Sequence, residues 1–462
     1  MQKVILIPLI LLGLSWHSIN HKSEIPYIQK LTAESVQIHW ENIKGYENWV
    51  MWGESPDHLT HKTSPSSDQM TPLNFRKKLS YVVIDGLQQG KKYYYQVTFH
   101  NQQKSPVLYF QTLTKAPETY SFLAMSDAQH GHQVTTKVVQ ESVLRYGFNK
   151  SSGTYPSFIL FAGDLVQNGA SHKDWIKQWF RPLAPLISHI PVYPALGNHE
   201  RNHQYYFSYF DLPSNGSPTG EEHWYFFDYG NVRYISLDTN KRYQTKEQLT
   251  WLSNLLAQTD YNEKIDFVVA YFHHPHRSEG WLPGESKYSG KIQEILENFS
   301  IRTEKPSFHL CGHTHAYSRG HSFYSRHTMI SIASLGGAID DWNEYPQKDY
   351  PEYLKTFPQF GWMNIEVKKG NSPSIKFTRY AFGDDRGQID QGISDEFTIP
   401  RYDTPPERPT IYSVTQGIKT EKNWPFQLEA SVFDSQGTKH LTTHIQIASD
   451  PYFSNIAYEK YI

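Results

Sequence analysis

Five hydrophobic runs in this chain each stop at a short polar cluster, and that repetition constrains the fold more than any other feature. The runs S-F-L-A-M, S-F-I-L-F-A, V-Y-P-A-L, D-F-V-V-A-Y-F and S-F-H-L-C have the length and the β-branched, aromatic content of buried strands. They end at S-D-A-Q (126–129), G-D-L-V-Q (163–167), G-N-H-E (197–200), H-H-P (273–275) and G-H-T-H (312–315). Asp, Asn and His recur in these clusters, and such side chains hold metal ions through oxygen and imidazole nitrogen. One cluster alone reads as a turn or a helix cap. Five in series predict a single site assembled from the whole domain.

Helical stretches separate the runs, at about 135–146, 173–186, 245–258 and 291–298. Thr245 followed by Gln248 predicts a capping box ahead of the third. Strand–helix alternation builds a sheet covered by helices, and ligands gather outside the carboxyl ends of its strands, where all five clusters fall. Before this region, residues 24–115 show short alternating strands (S-V-Q-I-H-W, N-W-V-M-W-G, L-S-Y-V-V-I-D, K-Y-Y-Y-Q-V-T-F, V-L-Y-F-Q-T) with no helix between them, which predicts a small all-β sandwich. The stretch K-A-P-E-T (115–119) reads as a linker, and 400–462 returns to β character in Q-L-E-A-S-V-F-D and T-T-H-I-Q-I-A-S-D as a C-terminal extension or partial module.

Charge narrows the partners. The 44 basic and 46 acidic residues nearly cancel, so nothing draws the chain electrostatically to nucleic acid or an anionic membrane surface. The start, M-Q-K followed by an apolar run from Val4 to Leu14, is too short to span a bilayer. It reads as a signal peptide over 1–22, cleaved between about Ser15 and Ser23, and not as a transmembrane anchor. A single cysteine, Cys311, allows no intrachain disulfide, which suits a bacterial periplasmic or secreted protein better than a eukaryotic secretory one. Cys311 ends a buried run and is expected to be a packed core thiol. Oligomeric state leaves no signal in the sequence.

Taken together and in order, the clusters resemble the calcineurin-like metallophosphoesterase superfamily, whose pattern runs D-x-[HGQ], G-D, G-N-H-[DE], H, G-H-x-H. The segment G-L-Q-Q-G-K-K-Y-Y-Y-Q-V, with Leu87, Gly90, Tyr93 and Val97, resembles the late strands of fibronectin type III domains, with Trp40 as an inward aromatic. That two-part layout is similar to the purple acid phosphatases. The resemblance implies a fold class: an α/β (α+β) metallophosphoesterase β-sandwich flanked by helices, over 118–385, preceded by an all-β fibronectin type III-like sandwich.

It also implies a site. Asp127 and His315 would bind a first metal; Asn198, His273 and His313 a second; Asp164 would bridge, since one carboxylate can span two cations about 3.5–4 Å apart. His199 would protonate the leaving group, as a His near neutral pH can. His273 is preferred over His274 because the family's ligand lies two residues before the proline, and His276 is a candidate substrate contact. Two positions depart from the pattern. Gln167 stands where purple acid phosphatases place the tyrosine that gives their colour, so no iron–tyrosinate is expected. Gln129 stands where D-x-H would supply an imidazole, and its amide oxygen is a candidate ligand. Gln129 and Gln167 are thus possible metal contacts, and the expected cofactors are two metal ions drawn from iron, manganese and zinc. The reaction implied is hydrolysis of a small phosphorylated substrate, a monoester by the two-module layout; Asp127-x-Gln129 leaves a phosphodiesterase or pyrophosphatase as the alternative. The Gly336–Gly337 pair is expected in a tight turn near the site.

Overall fold

The N-terminal strands owe their pairing to one buried face. In Val36–Ile43, the alternate residues Val36, Ile38 and Trp40 are wholly buried, and they face Ile84, Val82 and Ser80 of the antiparallel strand Lys77–Ile84. The computed structural model describes residues 24–67, 70–74, 76–148, 155–218, 221–384, 391–402, 444–450 and 455–461. Within it, two four-stranded antiparallel sheets form the first unit: Tyr27–Gln29, Val36–Ile43, Lys77–Ile84 and Met70–Pro72 in one, and His61–Thr63, Trp49–Gly53, Lys92–Thr98 and Leu108–Gln111 in the other. Trp40, Val50, Tyr95, Val97 and Phe110 close the core between them. Tyr93 turns its hydroxyl back to accept from the Gln88 amide at 3.0 Å, pinning the turn that Gly90 makes at φ +67°. That corner is the physical content of the Leu87–Gly90–Tyr93–Val97 pattern.

The central unit is a second, larger sandwich. One sheet runs Val192–Pro194, Pro156–Phe161, Thr119–Met125, Gly361–Lys368, Ser374–Phe382 and Gln391–Pro400; the other runs Tyr225–Tyr229, Val232–Ser236, Phe267–Phe272, Ser307–Cys311, His327–Ser331, Tyr317–His321 and Tyr353–Phe357. Aromatic rings lock the two together: Phe122 and Phe158 meet Tyr234 edge-on at 5.2 and 5.1 Å. The first three strands of the first sheet are parallel, as are the four from Val232 to Ser331 in the second that follow the order 232, 267, 307, 327. Parallel strands buried on both faces read as unbroken apolar runs, which is why these stood out in the sequence.

The expected helices are present with wider bounds. The first two stretches open as α-helix and pass into wider π-type turns (His132–Lys137 then Val138–Gly147; His172–Asp174 then Trp175–Phe180), and the later two are Lys246–Asp260 and Lys287–Thr303. Thr245 caps the third as predicted, accepting from Gln248 N at 3.3 Å, but the reciprocal arm is missing. Gln248 instead brackets Asp238, accepting from its amide at 2.8 Å and donating to its carbonyl at 2.9 Å. Strand Gln391–Pro400 extends the central sheet past residue 385. Of the C-terminal β segments, Q-L-E-A-S-V-F-D lies outside the described residues, whereas His444–Ala448 pairs with Ile456–Tyr461 in a two-stranded ribbon. The signal-peptide segment also lies outside them. Among the described residues no helix is long and apolar enough to cross a membrane.

The two sandwiches are fastened by hydrogen bonds between side chains and backbone. Tyr27 donates to the Tyr209 carbonyl at 2.8 Å, Tyr95 to that of Ser188 at 2.7 Å, and Ser188 to that of Pro26 at 2.6 Å. His189 donates from Nδ1 to the Tyr109 carbonyl at 2.7 Å.

Candidate metal centre

Every cluster leaves its strand at the carboxyl end, so the parallel packing of the two sheets brings all five together. The backbone is forced into unusual shapes there. Asp127, Asp164 and His313 adopt left-handed φ values of 55°, 56° and 69°, which cost a non-glycine residue on the order of 1 kcal/mol each and cluster where function requires them. Two cluster glycines permit the close approach. A Cβ on Gly197 would collide with Asp164 Oδ1, and one on Gly312 would lie 2.5 Å from Asp127 Oδ2. The Gly336–Gly337 pair has a related use: both amides donate to the Asp127 carbonyl, at 3.0 and 2.9 Å, and neither adopts positive φ. The chain bends at 335–337 beside the site, and the pair serves close approach there without positive φ.

The side chains converge with their acceptors inward. Asp164 Oδ2 lies 3.0 Å from His273 Nε2, and Asp164 Oδ1 accepts from the His199 amide at 2.9 Å. His273 Nε2 also lies 3.1 Å from Asn198 Oδ1 and 3.2 Å from His313 Nδ1. His315 Nε2 lies 3.5 Å from Asp127 Oδ1. The outer nitrogens are committed elsewhere: His273 Nδ1 to the Ala162 carbonyl at 2.8 Å, and His315 Nδ1 to that of Ala338. Such outer bonds fix the tautomer that leaves Nε2 free to bind an ion. Ligand atoms of Asp127, Asp164 and His273 lie within 4.8 Å of one another, as do those of His273, His274 and His313.

Electrostatics agree with an ion-binding set. Burial lowers the pKa of His273, but the Asp164 carboxylate outweighs it and raises the group to about 9. Burial likewise lowers His315, and Asp127 raises it to about 9. Burial raises Asp164, and His273 and His199 together carry it well below the usual carboxylate range. Protons here occupy the places that cations would take, since a metal competes with protons for the same ligands. His313 goes the other way: burial and the charges of His273 and His274 hold it neutral, the form a ligand needs.

The remaining expected residues divide. Gln129 stands inside the cluster, its Nε2 3.3 Å from Asp164 Oδ2 and 3.1 Å from His315 Nε2, while its buried Oε1 has no partner. It is the amide nitrogen that faces Asp164 and His315, so Gln129 would serve as an oxygen ligand with its amide turned over to bring the orphaned Oε1 to the cation. The hydrogen bonds of Gln167 are main-chain: its amide donates to Gln178 Oε1 at 2.7 Å, and its carbonyl accepts from His199 Nδ1 at 2.9 Å. His199 therefore presents Nε2 to the centre, 3.8 Å from Asp164 Oδ2, with its side chain 28% exposed. His276 points to the Ser286 carbonyl, 3.3 Å from its Nδ1, at the start of helix Lys287–Thr303, outside the cluster. Cys311 is a buried free thiol, its pKa pushed up by burial.

One residue passed over for its neighbour and two that went unread also contribute. His274 sits beside the centre, its ring 4.3 Å from that of His313 and its Nδ1 held by Thr239 Oγ1 at 2.9 Å. Asp238–Thr239–Asn240 forms a sixth cluster, after strand Val232–Ser236; Asp238 pairs with buried His223 at 2.8 Å, and Asn240 donates to the Gly197 carbonyl at 3.2 Å. The run V-R-Y-I-S-L ahead of it carries the same signal as the other five. Glu200 braces the loops from beneath, accepting from Gly197 N (2.7 Å), Asp164 N (2.9 Å), Leu165 N (2.7 Å) and Val166 N (3.3 Å).

Comparison with known proteins agrees with this geometry. Residues 120–317 match the calcineurin-like phosphoesterase family, and 26–112 match the purple acid phosphatase N-terminal domain. The central domain is a calcineurin-like phosphoesterase, preceded by a purple acid phosphatase N-terminal domain. These families indicate a metal-dependent phosphatase, a phosphoester hydrolase of the dinuclear type. Among solved structures, the chain is similar to the purple acid phosphatase PPD1 of yellow lupin (Lupinus luteus) seeds, at 16% identity and TM-score 0.60, over 81% of this chain and 73% of that one. It is also similar to PhoD, at 13% identity and TM-score 0.57, over 82% and 90%. No curated protein matched.

Proposed function

We propose that this metallophosphoesterase is an exported phosphomonoesterase in which Asp127, Asp164, Asn198, His273, His313 and His315 hold two metal ions and His199 protonates the departing alcohol. The observation that carries the reading is that His273 belongs to both groups of ligand atoms that come within 4.8 Å. The two groups meet at His273 and otherwise hold different side chains, a spread of donors that suits a pair of ions better than one. Bound there, the ions would supply Lewis-acid polarisation of phosphoryl oxygens and a water of lowered pKa. Iron, manganese or zinc suits this mixed oxygen and nitrogen set.

The chain's own groups do the rest. The Gln167 carbonyl holds the Nδ1 proton of His199, so the proton available to a leaving oxygen sits on Nε2, the nitrogen that faces Asp164. Glu200 and the Gly336–Gly337 amides fix the backbones of Asp164 and Asp127, which keeps both carboxylates in place as charge builds on the phosphoryl group. Gln129 offers an amide oxygen, a weaker donor than imidazole, so an ion beside it should exchange more readily. With glutamine at 167 no tyrosinate ligand is available from that motif.

The test is hydrolysis of 4-nitrophenyl phosphate against bis(4-nitrophenyl) phosphate by protein supplied with manganese, zinc or iron, alongside metal analysis of wild type and Asp164→Asn. The expected result is faster turnover of the monoester, and loss of both activity and bound metal in the variant. Faster turnover of the diester would replace the monoesterase reading. Unchanged metal content and activity in Asp164→Asn would overturn the two-metal assignment.

A further inference from the structure

The N-terminal sandwich reaches the catalytic loops through one carboxylate. Glu41, on strand Val36–Ile43, is only 3% exposed. A carboxylate so buried is costly unless charge and hydrogen bonds compensate it, and its partners come from three directions. Lys77 Nζ, on the neighbouring strand, lies 2.7 Å away. His172 Nε2 approaches its two oxygens at 2.8 and 3.1 Å, and the Tyr209 hydroxyl donates at 2.6 Å.

Those last two residues belong to the catalytic domain and close its two loops around His199. His172 begins the helical stretch that follows G-D-L-V-Q, and Tyr209 ends helix Gln204–Tyr209, which follows G-N-H-E. Between them the loops run back to back. The Gln167 carbonyl accepts a hydrogen bond from His199 Nδ1, and Gly169 N donates to the His199 carbonyl at 2.8 Å. Gly169 is close enough that a Cβ there would collide with the Glu200 carbonyl. Trp175 Nε1 closes the turn by donating to the Gly169 carbonyl at 2.8 Å. Rings of His172 and Tyr205 meet at 5.8 Å, so the loops also touch beyond the backbone contacts.

We infer that Glu41 is a positioning residue for His199: by gripping His172 and Tyr209 together, the N-terminal domain sets the aim of the imidazole that serves the leaving group. The inference rests on the proposed role of His199 as acid. Of the other bonds across the interface, Tyr27 also reaches this region, donating to the Tyr209 carbonyl at 2.8 Å, but it grips the backbone of one loop and does not join Tyr209 to His172 as Glu41 does. Tyr95 to Ser188 and His189 to Tyr109 fasten the domains elsewhere. Losing Glu41 should therefore leave the domains docked and the metal ligands in place while loosening the acid.

A leaving-group comparison separates this from a merely structural role. A good leaving group such as 4-nitrophenolate departs without protonation, whereas an alkoxide needs a proton. The full chain, loaded with manganese, would be assayed for kcat/KM on 4-nitrophenyl phosphate and on 2-glycerol phosphate, with metal content measured in each sample. In His199→Ala the alkyl ester should lose about 100-fold or more and the aryl ester far less. Glu41→Gln and His172→Asn should lose about 10-fold on the alkyl ester and less than about twofold on the aryl ester, with metal content intact. Tyr95→Phe, which weakens the same interface away from both loops, should change neither. If Glu41→Gln is too unstable to purify, His172→Asn cuts the same link from the other side. Equal losses on both esters, no loss in either variant, or a Tyr95→Phe profile matching Glu41→Gln would overturn the inference. If His199→Ala shows no leaving-group dependence, the acid role fails first and the inference falls with it.

Discussion

Replacing Glu200 by glutamine tests how much of the centre depends on a residue that no substrate touches. Glu200 is wholly buried, and its four hydrogen-bond partners are the backbone N–H groups of Gly197, Asp164, Leu165 and Val166, two to each oxygen. Burial, followed by the charge of Asp164, pushes its pKa up to about 8. Yet a protonated acid would set its own O–H against two donors, so the geometry demands the carboxylate. Glutamine keeps the shape and one acceptor oxygen, but its NH2 faces one pair of N–H groups. Two buried donors without partners cost about 1–3 kcal/mol each, or roughly 3 kcal/mol in all after partial relaxation. That is a large fraction of a typical stability of about 5–15 kcal/mol. For a domain of this size it corresponds to a fall in Tm of roughly 6–12 °C. Either pair includes a residue of the loop that begins at Asp164, held at φ 56°, so bound metal should fall together with stability. Differential scanning calorimetry and elemental analysis on the same preparations would check this. A Tm within about 1 °C of wild type, with full metal content, would refute the brace.

Two shorter predictions follow from the same structure. Burial lowers the pKa of His189 to about 4, so between the unfolded value of about 6.5 and pH 4 the unfolded chain binds a proton that the folded chain refuses. The share of stability that His189 contributes should therefore be full above about pH 6.5 and fall by about 2 kcal/mol on acidification to pH 5, so His189→Gln should reduce the total loss between these pH values by about that amount; urea titrations of both proteins at both pH values decide it. Gln129→His should replace a weak amide donor with an imidazole in the cluster and slow metal loss to a chelator severalfold, read by timed elemental analysis with activity measured separately; faster loss would count against Gln129 as a ligand.

The central fold and most of the site were legible because parallel strands, buried on both faces, leave unbroken apolar runs that only their polar ends interrupt. What escaped has physical reasons. The spacing to Pro275 favours His273, and the alternation of a strand would turn the next residue, His274, to the opposite face. The strand ends at Phe272, so the rule no longer applies, and the rings of His273 and His274 lie 4.9 Å apart beside the same centre. Glu200 reads as the tail of a turn, since its value depends on four amides, three of which meet it only after strands Pro156–Phe161 and Val192–Pro194 have paired. Asp238 reads locally as the lead into the Thr245-capped helix, and only its contacts with His223 and Gln248 show that it anchors a sixth loop. Glu41 lies in a strand whose alternation accounts for Val36, Ile38 and Trp40 but says nothing of a partner domain.

The two glutamines, alike in the sequence as departures from a pattern, are unlike in the structure. Gln129 brings its side chain among Asp164 and His315, so its amide competes directly for whatever those groups hold. Gln167 bonds through its backbone, and the carbonyl that orients His199 would be there whatever side chain stood at that position. A substitution at 129 should therefore be felt first in metal retention. The loop that carries 167 should be felt first in the aim of the acid, and the same loop, through His172, is the one that Glu41 holds from the other domain. Metal retention and leaving-group dependence are thus separable readouts of two neighbouring segments, and each departure from the family's pattern falls on a different one.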